Sequence, residues 1–190
     1  MGGTLQAPAP AAPVQTEEQH RSRPEIVGPD SPEAPYPIHL AGAVQKGFGR
    51  GGKDLGCPTA NLPDESISAM SSTVKTGVYY GFAQVIPPET AGFPSEDRQI
   101  LPMVMSLGWN PFYKNKRLTA EIHVMHEFKN DFYGIEVKAV VLGYIRPELD
   151  FTSREALIED IEMDKRVALK SLERPEYKKF AEDPHFNLVA

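Results

Sequence analysis

The chain has 190 residues, of which 41% are hydrophobic and 24% are charged. This length and composition are typical of one globular domain with an appendage, and they exclude a wholly disordered chain. No apolar stretch approaches the ~18 residues that a membrane-spanning helix needs. The formal net charge is -6, and no long basic run offers a footprint for nucleic acid. We therefore expect neither a membrane nor a nucleic acid as a partner.

The single cysteine, Cys57, excludes a disulfide framework and a cysteine-based zinc site. It indicates a reducing compartment. The first residues lack the apolar core of a secretory signal, and Glu17 and Glu18 do not fit a transit peptide. We expect a cytoplasmic monomer, and an association with mitochondria is left open.

Proline is concentrated at the start of the chain, where 8 of the 18 prolines lie within the first 37 residues. Together with Ala, Gln, Glu and Ser, they leave too little apolar surface to offset the entropy cost of ordering the chain. The sequence therefore predicts a disordered tail over residues 1–35 and a folded domain over residues 36–190.

From Ile38 onwards, short runs rich in Val, Ile, Tyr and Phe are bounded by Gly, Pro and Asn. Such runs predict β-strands and an all-β barrel or sandwich. The predicted strands cover residues 38–44, 77–85, 102–109, 120–126 and 135–145. The polar, proline-containing tract 87–97 between two of them predicts a surface loop.

Near the end of the chain the hydrophobic period becomes helical. Thr152 and Glu155 have the spacing of a capping box. The apolar positions that share one helical arc are Leu157, Ile158, Ile161, Ala168 and Leu172. The pattern predicts one amphipathic helix over about 153–172 that packs on the barrel, with a short helix possible in the final residues.

Residues 47–53 read GFGRGGK, which partly matches two phosphate-binding motifs. A dinucleotide fingerprint and a P-loop both open a helix, but Pro58 and Pro63 block a helix here. Asp54 also stands where a P-loop has Ser or Thr. Two interpretations remain. The glycine-rich backbone, with the cations Arg50 and Lys53, can bind a polyphosphate through its N–H groups, or the stretch is a glycine turn between strands.

Thr59 and Asn61 follow this stretch, between two prolines. A hydroxyl and an amide oxygen are ligands that Mg²⁺ accepts while it shares substrate phosphates. Taken alone, a Thr-x-Asn pair is more often a hydrogen-bonded turn.

Glu121 begins a largely apolar strand, where a carboxylate is either on a solvated face or functional. A functional carboxylate at this position can act as a general base that accepts a proton. His123 and His126 lie three residues apart, so in a strand they point to opposite faces, which argues against a two-histidine metal site. The same alternation puts Glu121 on one face and Val124 and His126 on the other. All three can line one site only at a barrel rim or across a bulge.

Five segments, in their order and spacing, resemble riboflavin kinase, or flavokinase, of the eukaryotic, fungal-like, single-function kind. They are GFGRGGKDLGCPTANLP (47–63), TGVYYGFA (76–83), SLGWNPFY (106–113), AEIHVMHEFKNDFYG (120–134) and GYIRPELDF (143–151). The resemblance implies a six-stranded antiparallel Greek-key barrel with a packed C-terminal helix. It also implies transfer of the γ-phosphate of ATP to the ribityl 5′-hydroxyl of riboflavin, giving FMN and ADP, with Mg²⁺ or sometimes Zn²⁺.

The resemblance assigns roles to residues by their positions in the matching motifs. Glu121 occupies the place of the catalytic carboxylate, and Thr59 and Asn61 fall on the metal-binding PTAN motif. The positions that align with nucleotide contacts are Gly47, Lys53, Val124, His126 and Tyr133. Arg146 and Phe151 fall on the segment that closes over the flavin.

Two other functions are compatible with parts of this pattern. A barrel that binds FMN or a nucleotide without catalysis would need neither Glu121 nor the Thr59–Asn61 pair. The kinase half of an FAD synthetase would need an additional adenylyltransferase domain, for which 190 residues leave no room. We therefore expect the protein to make FMN and not FAD.

Overall fold

The computed structural model describes residues 22–46, 59–68, 70, 74–109 and 117–187. Its strands are β1 (Ile38–Ala43), β2 (Ala60–Asn61), β3 (Gly77–Ile86), β4 (Leu101–Trp109), β5 (Leu118–Val124) and β6 (Glu136–Arg146). All five predicted strands are present, and their ends lie within two residues of the prediction. Strand β2 was not predicted, because two residues are too short to show a period of hydrophobicity.

The six strands form one antiparallel sheet in the order β1-β6-β3-β4-β5-β2. The sheet curls until its two edges meet, where Gln45 forms a bridge with Asn61. The Gln45 amide donates to the Asn61 carbonyl oxygen at 2.9 Å. The predicted all-β, six-stranded barrel is confirmed.

Alternate side chains of each strand point into the barrel, as the period of a strand requires. The interior contains mainly aliphatic side chains and methionines, with Tyr79 among them. Its buried residues include Leu40, Ala60, Met103, Met105, Leu107, Ala120, Ile122, Val137 and Val141. The residues between these positions point outwards, so the outer face of the sheet is available for a helix and for a site.

The described residues contain three helices, α1 (Asp64–Ile67), α2 (Arg154–Leu172) and α3 (Pro175–Lys178), with 3₁₀ turns at Glu89–Ala91, Ser95–Arg98 and Lys179–Glu182. Helix α2 covers part of the outer face, as predicted. Its N-cap is Ser153, whose hydroxyl accepts from the Ala156 amide at 3.1 Å, one residue after the predicted Thr152. No helix in the described ranges is long and apolar enough to span a bilayer.

The buried face of α2 is partly acidic. Asp160 and Asp164 are 0% and 3% exposed, whereas the predicted arc of apolar residues in this half of the helix is only half-buried. Arg23 contacts both carboxylates at 2.5 Å, and Arg146 contacts them at 3.1 and 2.8 Å. Two arginines and two aspartates thus balance in charge, which is what allows the carboxylates to be buried.

Residues 22–35 were predicted to belong to a disordered tail, but in the structure they pack on the C-terminal helices. The Val27 amide donates to Ser171, and the Tyr80 hydroxyl donates to the Val27 carbonyl at 2.8 Å. The Arg174 guanidinium donates to carbonyl oxygens of the same segment. These polar contacts and the packing of Val27 against the cluster beneath α2 order the segment. They involve distant residues, so a composition argument cannot detect them. The predicted tail before Ser22 lies outside the described residues.

Removing residues 1–21 is expected to leave stability unchanged, because their composition offers little apolar surface to bury. Removing residues 1–35 should cost at least about 3–5 kcal/mol, since the loss of Arg23 leaves the buried carboxylates of Asp160 and Asp164 with one arginine. For a chain of this size that corresponds to a fall of at least about 6 °C in Tm. Thermal unfolding of the two truncated proteins measures both effects. Equal Tm values would show that residues 22–35 contribute nothing to stability.

Candidate active site

Three polar side chains form a row across neighbouring strands on the outer face of the sheet. Asn61 in β2 lies opposite Glu121 in β5, and Glu121 lies opposite Ser106 in β4. Directly opposed residues point to the same face, with Cβ atoms about 4.5–5.5 Å apart. All three residues are half-buried. A charged residue can therefore stand in this largely apolar strand, because the Glu121 side chain lies outside the barrel, beside the polar side chains of Asn61 and Ser106.

Thr59 lies on the same side as Asn61. Ala60 between them is buried in the barrel interior at 2% exposure, and residues two apart in an extended chain share a face. Asn61 thus lies directly opposite Glu121, and Thr59 lies two residues farther along the same face. Among the described residues there is no cluster of three or more His, Cys, Asp or Glu side chains able to hold a metal ion.

A cavity of about 220 Å³ opens beside Glu121. Its lining residues are Ser106, Gly108, Trp109, Thr119, Glu121 and Glu148. Trp109 is 49% exposed at the rim. Gly108 has no side chain, and each of the four remaining lining side chains carries at least one oxygen atom. The cavity is therefore suited to a ligand rich in hydroxyl groups beside an aromatic ring.

Glu148 reaches this cavity from the segment after β6. The Ser106 hydroxyl donates to its Oε1 at 3.4 Å. Sequence reasoning placed Glu148 in the Arg-Pro-Glu turn without giving it a role, and it did not consider Ser106 or Thr119. Their contribution depends on the register of β4 against β5 and on the return of the chain after β6, which no local pattern shows.

Val124 and His126 do not lie on the same face as Glu121. Val124 is buried in the barrel interior, at 4% exposure, and only its backbone is available to a ligand on the outside. His126 lies beyond the end of β5, where its Nε2 is 2.7 Å from Oδ1 of Asp97. Its ring contacts Phe128 edge-on, with centroids 4.8 Å apart. The predicted alternation between Glu121 and Val124 is confirmed.

Asp97, in the loop between β3 and β4, is a residue that sequence reasoning missed. It is 1% exposed, and its Oδ2 has no hydrogen-bond partner. A buried carboxylate in a tract that predicted a surface loop has no local sequence signal. The contact between Oδ1 of Asp97 and Nε2 of His126 fixes the orientation of the imidazole ring.

Tyr133 lies at the end of the barrel where β1 leads towards the glycine-rich stretch. It is 46% exposed, and Lys46 Nζ lies 5.7 Å from its ring centroid. The next amide, that of Gly134, donates to the Val44 carbonyl at 2.8 Å. This places Tyr133 beside the start of the predicted phosphate-binding segment. Gly47 and Lys53 lie outside the described residues.

Arg146 and Phe151 lie together at the other end of β6, with the guanidinium carbon of Arg146 5.7 Å from the Phe151 ring centroid. Arg146 Nε and Nη2 donate to Asp164 at 2.9 and 2.8 Å. Burial alone would lower the pKa of Arg146, but hydrogen bonds to Asp164 and the charges of Asp164, Asp160 and Glu148 outweigh it and raise the pKa. The hydrogen bonds to Asp164 thus hold the side chain of Arg146 against α2, where it stays positively charged.

Comparisons with known proteins identify the family of the chain. The family model for flavokinase, described as riboflavin kinase, matches residues 34–172. A riboflavin kinase of Scheffersomyces stipitis is 46% identical over 84% of this chain and 98% of its own. One of Pyricularia oryzae is 49% identical over 80% of each chain. The crystal structure of riboflavin kinase from Trypanosoma brucei superimposes with a TM-score of 0.63, at 29% identity, over 83% of this chain and 94% of that one. The chain belongs to the flavokinase family.

Proposed function

We propose that the protein transfers the γ-phosphate of ATP to the ribityl 5′-hydroxyl of riboflavin, producing FMN and ADP. The observation that carries this proposal is the row of Asn61, Glu121 and Ser106 beside a cavity lined with oxygen atoms. It occurs in a chain of the flavokinase family. A barrel that only binds FMN or a nucleotide would not need a carboxylate at this position, so the alternative is not favoured.

Glu121 acts as the general base in this proposal. Its carboxylate accepts the proton of the 5′-hydroxyl while that oxygen forms a bond to the γ-phosphorus of ATP. The bond from the γ-phosphorus to the β,γ-bridging oxygen breaks, and ADP leaves with the bond's electron pair. Glu121 later releases the proton to water.

Thr59 and Asn61 would hold the divalent metal that accompanies ATP. When bound, such a metal neutralises the developing charge on the phosphate oxygens. A hydroxyl and an amide oxygen are ligands preferred by Mg²⁺, whereas Zn²⁺ prefers nitrogen and sulfur. We therefore propose Mg²⁺ rather than the occasional Zn²⁺ that the resemblance implied.

We assign nucleotide binding to one end of the barrel and flavin binding to the other. Tyr133, His126 and the backbone of Val124 lie on the side where Gly47 and Lys53 are predicted to bind the phosphates of ATP. Arg146 and Phe151 lie at the opposite end of β6, where they would close over the flavin. Oligomeric state and compartment stay predictions, namely a monomer and the cytoplasm.

The direct test incubates the purified full-length protein with riboflavin, ATP and Mg²⁺ and separates the products chromatographically. We expect FMN and ADP in equal amounts and no FAD. Formation of FAD from FMN and ATP by a pure preparation would contradict the single-function assignment. A lack of FMN would contradict the proposed activity.

Thr59→Ala and Asn61→Ala should each raise the Mg²⁺ concentration required for half-maximal activity by at least about 10-fold. Loss of a group that merely supports a metal ligand already costs about 10–100-fold in affinity. The measurement is a Mg²⁺ titration of FMN formation at saturating riboflavin. Thr152→Ala, at an exposed position before α2, is the matched control. Riboflavin affinity without nucleotide should not change, and a comparable loss there would indicate local misfolding instead.

A further inference from the structure

The cavity beside Glu121 contains a second carboxylate that the proposed reaction does not use. Glu148 and Glu121 both line it, on either side of Ser106. Two carboxylates in one small cavity repel each other, and the nearby charge of Arg146 attracts Glu148. Proton transfer needs only one base.

The backbone beneath Glu148 is shaped to admit its carboxylate. A Cβ atom built on Gly108 would lie 2.7 Å from Cδ and 2.8 Å from Oε2 of Glu148, and still closer to Oε1. Real Cβ atoms essentially never approach other heavy atoms so closely. Gly108 is not among the glycines with a positive φ, so its conformation does not require glycine. A Cβ at this position would therefore displace the Glu148 carboxylate, the far end of a flexible side chain, rather than the backbone.

The charge of Glu148 indicates which part of the substrates it contacts. A carboxylate repels the phosphates of ATP, and it accepts hydrogen bonds from neutral hydroxyl groups. The ribityl chain of riboflavin carries three secondary hydroxyls besides the 5′-hydroxyl that Glu121 would deprotonate. The cavity that the two carboxylates share therefore fits this polyol chain better than it fits a phosphate.

The geometry points to Glu148 as a specificity-determining residue that accepts a hydrogen bond from a secondary hydroxyl of the ribityl chain, with Gly108 making room for it. This inference rests on the proposed function. Because a cavity built to bind a hydroxyl rejects analogues that lack it, Glu148 selects polyol-bearing flavins over flavins with a plain alkyl chain.

The test compares riboflavin with 7,8-dimethyl-10-(5-hydroxypentyl)isoalloxazine, which keeps the ring system and the terminal hydroxyl and lacks the secondary hydroxyls. The measured quantity is the ratio of kcat/KM for the two substrates within one enzyme preparation, so that an inactive fraction cancels. Glu148→Ala should lower this preference for riboflavin by about 10-fold, the usual effect of losing a hydrogen bond to a charged group. Glu148→Gln, which keeps an acceptor oxygen, should restore part of the preference.

Gly108→Ala is a second, independent variant for this test, because its Cβ displaces the Glu148 carboxylate without removing the charge. It should lower the preference in the same direction as Glu148→Ala. Glu159→Gln, at an exposed position on α2, makes the same charge change away from the cavity and should leave the preference unchanged.

A preference that stays within about twofold in Glu148→Ala would overturn the inference, because the lost bond should cost more. Equal losses for the two substrates would also overturn it, since they would place Glu148 against a part that the substrates share. If the unaltered protein forms no FMN, the proposed function itself fails. The two failures are therefore distinguishable.

Discussion

Replacing Glu121 with glutamine is expected to lower kcat for riboflavin phosphorylation by about 10²–10⁴-fold, the usual contribution of a general base. Glutamine keeps the size and polarity of the side chain between Asn61 and Ser106 but cannot take up the hydroxyl proton. Binding of ATP and riboflavin should persist, because the residues to which we assign metal and flavin binding, namely Thr59, Asn61, Arg146 and Phe151, are unchanged. If the phosphoryl-transfer transition state is loose, the effect falls at the lower end of this range.

Steady-state turnover and separate binding measurements for each substrate check this result. Glu159→Gln again controls for the loss of one negative charge. A Glu121→Gln enzyme within about threefold of the original kcat would move the base to another group, because that is well below the usual effect. Loss of substrate binding at an unchanged Tm would make Glu121 a positioning residue.

Asp164→Asn is expected to destabilise the protein by about 3–5 kcal/mol, because removing one partner of a buried ion pair leaves an uncompensated charge. Asp164 is 3% exposed and accepts from both Arg23 and Arg146. Asparagine has nearly the same shape, so the loss would reflect charge and hydrogen bonding rather than a cavity. Urea denaturation measures the free energy of unfolding directly.

Asp30→Asn, at an exposed position in the same N-terminal segment, should change the free energy of unfolding by less than about 0.5 kcal/mol. Similar small changes in both variants would show that the four-residue cluster of Arg23, Arg146, Asp160 and Asp164 is neutral to stability. A riboflavin KM that rises in Asp164→Asn with little change in the KM for ATP would further show that the cluster positions Arg146 for the flavin.

The strands were predictable because their inner and outer residues differ in character. In β4, for example, Met103, Met105 and Leu107 point into the barrel, and Ser106 points outwards. Runs of this kind, bounded by Gly and Pro, are the local signal of a strand. The order of the strands in the sheet has no such signal, and the barrel was expected on the basis of the family resemblance.

The burial of the acidic face of α2 could not be predicted from the local sequence. Asp160 and Asp164 are polar residues, so a search for apolar positions assigns them to the solvent side. They are buried because Arg23 and Arg146 approach from distant parts of the chain. The same limit applies to the candidate site. Glu121 was found from the pattern of its own strand, whereas Glu148 and Asp97 are identified only by their contacts with Ser106 and His126 in distant parts of the chain.

The two ends of the described chain depend on each other for their order. Strand β1 pairs with β6, so that about 100 residues separate Ile38 from its partner Val141, and Arg23 contacts Asp160 across 137 residues. During synthesis at about 5–20 residues per second, β1 therefore waits roughly 5–20 s for its partner to leave the ribosome. Strands β3, β4 and β5 pair with their neighbours in sequence and can assemble earlier, since short loops close at low entropy cost. Residues 22–35, which are made before every strand of the barrel, are among the last to find their place.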